Sequence, residues 1–379
     1  MTLRLILATA ALLAGSAAAV ASQGAGFEYQ LACGSPSDQP ASTAPAVMLI
    51  GGAEANTAGE PAATEWFLEQ GDGGDYLVLR VGGTGGQAAW LCSAFPGAVA
   101  SAAELSVDSI AAAGDPQVVA RVAEAEMLFI AGGDQRDYVE LWRGTALADA
   151  INAHVQQAPI AGTSAGMAIL GRSYYAPETL GVLSSELLDD PFDPLSQEIG
   201  HDDFIQHPLL AGTITDTHLD REHGVGDEYR YGRLFGFLAR LVAFDPGPGR
   251  ELGIGAEEAV FIAIEADGSA RAFGPDGSAA WFVLRNQGDP EQLQPGQPLV
   301  WNRAQAAAKA YRLPATPGGS GVFDLGDPVN ASGGQWYDWF TDGGWTGFNF
   351  ADGSCPACGG AAPPRPDLIH ADAFGPGAL

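Results

Sequence analysis

The sequence predicts an α/β protein, with a mainly parallel sheet covered by helices on both faces and a small antiparallel layer towards the C-terminus. Three observations carry this. Short apolar runs recur at residues 46–50, 76–81 (broken only by Arg80), 127–131 and 159–161, and each stops at glycine: Gly51-Gly52, Gly82-Gly83, Gly132-Gly133 and Gly162. Continuous runs of that length suit strands buried on both faces. Between them lie segments with apolar residues at helical spacing, such as Leu141, Leu147, Ile151 and Val155, so strands and helices alternate. Beyond residue 258 the runs 259–264, 270–273 and 281–284 follow one another closely, which predicts antiparallel pairing, with residues 310–325 completing that layer.

Taken in order, residues 1–21 have the layout of an export leader: Arg4, an apolar stretch over 5–13 and the small-residue site Ala19-Val20-Ala21. The apolar stretch is too short to favour a membrane span. Residues 22–45 are polar and rich in Gly, Pro and Ser, and are expected to form a linker. Residues 46–325 form the α/β body, with helices expected over 56–70, 115–126 and 138–155. A loop-rich insert over 174–207 precedes a strand over 209–215, and a helix opens near Arg230 and runs to Phe244. From residue 326 to 379 the composition shifts to Gly, Asp and aromatics, including Trp336, Tyr337, Trp339, Phe340, Trp345 and Phe348. That is too aromatic for a plain linker, so this extension is expected to pack on the body. No internal repeat is present.

The chain carries 46 acidic against 17 basic residues, a formal charge of −29. This argues against nucleic acid and anionic membranes as partners and leaves peptides and small molecules; a homodimer stays open. Four cysteines and the leader together point to an oxidising compartment, the periplasm or the medium. Cys33, Cys92, Cys355 and Cys358 allow three pairings. The Cys355-x-x-Cys358 spacing also suits zinc, but no second close ligand pair accompanies it, and disulfides are the preferred reading.

The parallel strands end at one edge of the sheet, where Gly51-Gly52, Gly132-Gly133-Asp134-Gln135 and Ser164 collect. Gly162-Thr163-Ser164-Ala165-Gly166 stands between an apolar strand and an Ala/Met/Ile/Leu run. A serine at the apex of a strand–turn–helix is exposed, and the amide of the next residue, Ala165, faces a developing oxyanion. With 52 glycines in the chain, the motif alone is weak. A serine nucleophile needs a base, and there are six histidines. His154 lies in a helix; His201, His207 and His223 lie in acidic loops where solvation is the default; His370 is in the tail. His218 follows a strand end, 54 residues after Ser164, and is the best-placed base.

Gly132-Gly133-Asp134-Gln135, Gly162-Thr163-Ser164-Ala165-Gly166, Asp216-Thr217-His218, Arg230-x-Gly-Arg233-Leu234 and Gly253-Ile-Gly255-x-Glu-Glu258 occur in that order. Together they resemble the cyanophycinase branch of the S51 serine peptidases, which also includes aspartyl dipeptidase. The likeness runs from about residue 46 to 325. It implies a flavodoxin-like or glutamine-amidotransferase-like sheet, Ser164 as nucleophile, His218 as general base, and an acid between them: Glu178 by spacing, with Glu186 as second choice. The oxyanion hole would use the amides of Ala165 and of Gly133 or Asp134. Asp134, Gln135, Asp216, Thr217, Arg230 and Arg233 would face a substrate containing aspartyl groups, forked guanidinium groups being suited to carboxylates. No metal and no organic cofactor is implied.

The sequence departs from that pattern in two places. Thr217 stands where the family usually has glutamine, and residues 219–229 form a longer segment. Catalysis can survive both while substrate choice moves. Two rivals remain at this level: a secreted α/β-hydrolase esterase, which would use a histidine nearer the chain end, and a catalytically inactive relative that binds peptides through the aromatic tail. A glutamine amidotransferase is disfavoured, because the turn holds serine instead of cysteine.

Overall fold

The structure is a computed structural model and describes residues 21–179, 181–222, 228–244, 251–286, 288–355 and the backbone of Ile369–His370. The leader expected over 1–21 falls almost wholly outside the described residues, as do His223 and Cys358.

The chain builds two large sheets. The first has ten strands in the order Ala21–Gly24, Phe27–Gly34, Ser101–Val107, Asp75–Arg80, Met127–Ile130, Ile160–Thr163, Val47–Ile50, Phe261–Ile264, Ser269–Phe273 and Phe323–Asp324. The five from Ser101–Val107 to Val47–Ile50 are mutually parallel, and the flanking pairs are antiparallel. Alternate residues of the parallel strands serve opposite faces. Val47, Leu49, Leu128 and Ile130 pack into one core with Trp142, Leu147 and Ile151. Met48, Ile50, Met127 and Phe129 pack into another with Trp66, Phe67 and Leu91. Helices therefore cover both faces, as continuous apolar strands require.

The second sheet has nine strands: Ile369–His370, Phe348–Asp352, Gln335–Thr341, Ala308–Pro314, Ala279–Arg285, Leu252–Ala256, Thr213–Asp216, Ser173–Tyr175 and Ile199–His201. Thr213–Asp216 is parallel to both Leu252–Ala256 and Ser173–Tyr175, and the other joins are antiparallel. The expected C-terminal layer is thus much larger than a small appendage. Two of the strands assigned to it, Phe261–Ile264 and Ser269–Phe273, instead extend the first sheet from Val47–Ile50.

Other expectations are corrected in the same way. Residues 22–45 are not simply a linker: Phe27, Tyr29 and Leu31 alternate inward in a strand paired with Ser101–Val107, and Cys33 is bonded to Cys92. Nor is the segment after residue 325 a separate extension. Its strand Gln335–Thr341 pairs with Ala308–Pro314, and Trp339, Phe348 and Phe350 fill a core with Trp281 and Tyr231. The strand Ser101–Val107 was not foreseen, because Glu104 interrupts its apolar character. The Glu104 carboxylate is buried and accepts the backbone N–H groups of Gly85 and Ala88, at the start of the helix Gln87–Ala94. The helix expected over 138–155 is two, Gln135–Trp142 and Ala146–His154, separated at Gly144 with φ +71°. His207 is buried, not a solvated loop histidine, and His154 is buried at the end of its helix; burial pushes both imidazoles down to about 4.

Candidate active site

The strand Ile160–Thr163 delivers Ser164 to the carboxyl edge of the first sheet. Ser164 has φ +50° and ψ −114°, a backbone conformation that costs a β-carbon residue energy and is kept where surrounding contacts enforce it. The enforcement is visible. The Ser164 N–H donates to the Ile50 carbonyl at 3.0 Å, and a Cβ on Gly166 would lie 2.1 Å from the Ile130 carbonyl oxygen. Only glycine lets the turn sit this close to the neighbouring strand. Ala165 opens the short helix Ala165–Ala168, so its N–H has no intrahelical partner, and the residue borders the cleft described below.

The second sheet supplies the partners. Thr213–Asp216 and Leu252–Ala256 are parallel, with Asp216 beside Gly255. The residues just beyond each strand therefore leave the sheet side by side. His218 Nε2 lies 2.9 Å from Ser164 Oγ, and His218 Nδ1 lies 2.8 Å from Glu258 Oε1. Glu258, and not Glu178, is the carboxylate at the imidazole. Glu178 is exposed and accepts from Arg136 Nη2 at 3.1 Å, and Glu186 caps its own helix by accepting the Leu183 N–H at 2.8 Å. Neither reaches His218.

The turn at Gly51-Gly52 joins the two halves. The His218 N–H donates to the Gly51 carbonyl at 3.1 Å, and the Ala259 N–H donates to the Gly52 carbonyl at 2.7 Å. Gly52 has φ +97°, and a Cβ there would lie 2.2 Å from His218 Cε1. A glycine is thus required for the imidazole to occupy its place. His218 is itself held at φ +53°.

A cleft of about 340 Å³ opens over these groups. Ser164, Ala165, Gly133, Asp134, Gln135, Asp216, Thr217, His218, Arg230 and Arg233 all line it, so every other anticipated site residue reaches one place. Their availability differs. Asp134 Oδ1 accepts the Arg136 N–H at 2.9 Å and caps the helix Gln135–Trp142. Asp216 and Arg233 are both buried and bonded to each other, Nε to Oδ2 at 2.9 Å and Nη2 to Oδ1 at 2.5 Å. This fork-on-fork pair satisfies both charges, which removes them from direct competition for a ligand. Arg230 is different. Its Nη1 donates to the Thr217 carbonyl at 2.9 Å, its Nε is buried without a partner, and no carboxylate among the described residues forms a salt bridge with it. Burial, then the neighbouring Arg233, push this guanidinium down to about 9. It remains a cation at neutral pH, short of a counter-ion. Arg221, which the motifs did not single out, also lines the cleft.

Burial lowers the His218 imidazole from its ordinary range, against the opposing pull of the Glu258 hydrogen bond. A base must be neutral to accept a proton. The protonated fraction grows only as pH falls through a value below about 6.5, so kcat/KM is expected to hold at neutral pH and to lose activity on an acid limb lying below 6.5. A pH–rate profile checks this; a limb above 6.5 would contradict it.

A second grouping of the same residue types shows what the first has beyond composition. Ser173 Oγ lies 2.8 Å from His201 Nδ1, and His201 Nε2 lies 3.3 Å from Asp202. Ser173, however, is 1% exposed within a strand, with no turn to present it.

Residues 48–187 match the model of peptidase family S51. The matched stretch contains Ser164 and the Gly133 loop but ends before His218 and Glu258. Among solved structures, a peptidase from an acI-B1 Actinobacterium is similar over 62% of this chain and 89% of its own, at 14% identity and a TM-score of 0.42. A search of the curated proteins finds no match. Among the described residues, no helix is long and apolar enough to cross a membrane.

Proposed function

We propose that the protein is an exported serine peptidase that cleaves peptide bonds at aspartyl residues through an acyl-enzyme. The observation that carries the proposal is the hydrogen-bonded relay Ser164–His218–Glu258, whose serine and histidine line the cleft. Ser164 Oγ attacks the peptide carbonyl as His218 Nε2 takes its proton. Glu258 holds the Nδ1–H tautomer and stabilises the imidazolium. The Ala165 and Gly133 amides receive the oxyanion. Collapse breaks the C–N bond, and the Nε2 proton goes to the leaving amine. Water then repeats the sequence on the ester and restores Ser164.

Arg230 supports the aspartyl assignment, since a substrate carboxylate would supply the anion that this half-buried cation lacks among the described residues. Arg230→Gln is expected to raise KM for aspartyl substrates about 10- to 100-fold, the magnitude of a lost charge-assisted bond, with less effect on kcat. Steady-state kinetics check this; an unchanged KM would remove Arg230 from substrate binding. Export is supported by the leader-like residues 1–21 and by the Cys33–Cys92 bridge.

The substrate class is tested by mass spectrometry of products from cyanophycin and from α- and β-aspartyl dipeptides, with Ser164→Ala as control. Release of β-aspartyl-arginine by the unaltered protein alone is the family-type outcome. Cleavage of dipeptides only would indicate an aspartyl dipeptidase. No cleavage at all would favour the peptide-binding relative.

A further inference from the structure

Glu258 sits on a loop, and a carboxylate on a loop orients an imidazole only if the loop is held. We propose that Glu257 and Asp220 act as positioning residues that clamp the Glu257–Glu258 peptide, so that the C-terminal aromatic sheet becomes part of the catalytic apparatus. The inference rests on reading Ser164, His218 and Glu258 as the triad.

Glu257 is buried and immediately precedes Glu258. Its Oε1 accepts from Tyr231 Oη and from Trp281 Nε1, each at 2.9 Å, and its Oε2 accepts the Ala279 N–H at 2.8 Å. Three donors converge on one carboxylate, which is not among the groups that line the cleft. On the other side of the same peptide, the Glu258 N–H donates to Asp220 Oδ1 at 2.7 Å. Asp220 follows His218 by two residues, so one acid ties the loop of the base to the loop of the acid. The Val260 N–H closes on the Glu257 carbonyl at 3.3 Å.

The donors that grip Glu257 are themselves fixed by the chain's last strands. The Tyr231 ring meets Trp281 at 5.5 Å and both Trp339 and Phe350 at 6.3 Å between centroids. Those residues lie well outside 48–187. A buried carboxylate with its acceptors filled has one strongly preferred placement, and a catalytic group displaced by an ångström loses turnover more than binding.

The test measures kcat and KM per active site, titrated with a fluorophosphonate, for Glu257→Gln, Asp220→Ala and Asp220→Asn. Glutamine sets an N–H₂ group against one of the three donors. Glu257→Gln and Asp220→Ala are expected to lower kcat per titrated site about tenfold or more, with KM nearly constant. Asp220→Asn, whose amide oxygen still accepts the Glu258 N–H, should recover most of the loss. A purely structural role would reduce the number of titratable sites and leave kcat per site unchanged, and that result overturns the clamp. Absence of label on Ser164 of the unaltered protein would instead overturn the triad reading, and the clamp with it.

Discussion

Ser164→Ala should abolish turnover, lowering kcat by about 10⁴-fold or more, since removal of a nucleophile disables the whole relay. The expectation comes from the geometry. His218 Nε2 is 2.9 Å from Ser164 Oγ, and without that oxygen the imidazole has no proton to take. Folding should be unaffected, because alanine keeps the Cβ and the Ser164 backbone contacts. Circular dichroism together with kinetics on a cleaved substrate checks both halves. Residual activity near that of the unaltered protein would mean that chemistry occurs elsewhere, with Ser173 beside His201 as the obvious alternative.

Glu258→Gln is the second large effect. An amide of the same shape can donate to or accept from His218 Nδ1 but carries no charge to stabilise the imidazolium. The expected loss in kcat is about 10³- to 10⁴-fold. Glu178→Gln should leave kcat within about twofold, because changes to exposed groups away from a site are usually close to neutral. Glu178 is exposed and pairs with Arg136. The reverse pattern would return the acid's role to the segment after the serine helix.

The contrast between these two glutamates shows how far the chain could be read unaided. Ser164 and the amide of Ala165 were legible because a strand–turn–helix is a local pattern. His218 was legible because it follows a strand end at a distance that allows the chain to return to the same edge. Glu258 was in view within Gly253-Ile-Gly255-x-Glu-Glu258 but carried no role. Its place beside His218 is set by the parallel register of Thr213–Asp216 against Leu252–Ala256, which no local pattern reveals. The cleft residues separated in the same way. Arg230 and Arg233 look alike in sequence, yet Asp216 pairs with Arg233, while Arg230 has no carboxylate partner among the described residues.

The sheet tells a similar story. Four of the five parallel strands announced themselves as largely apolar runs ending in glycine. The strand Phe27–Gly34 had a usable signal, the alternation of Phe27, Tyr29 and Leu31, hidden by polar neighbours. Ser101–Val107 had none, since its buried Glu104 serves the Gly85 and Ala88 amides. The aromatic density after residue 325 did indicate packing, but the strand pairing with Ala308–Pro314 depends on a register set elsewhere.

The measurement that bears most directly on the central claim is identification by mass spectrometry of the residue labelled by a fluorophosphonate probe, in the unaltered protein and in His218→Ala. The account predicts a single adduct on Ser164, formed rapidly with His218 in place and about 10³-fold more slowly without it. Label on another serine, or a labelling rate indifferent to His218, would contradict it.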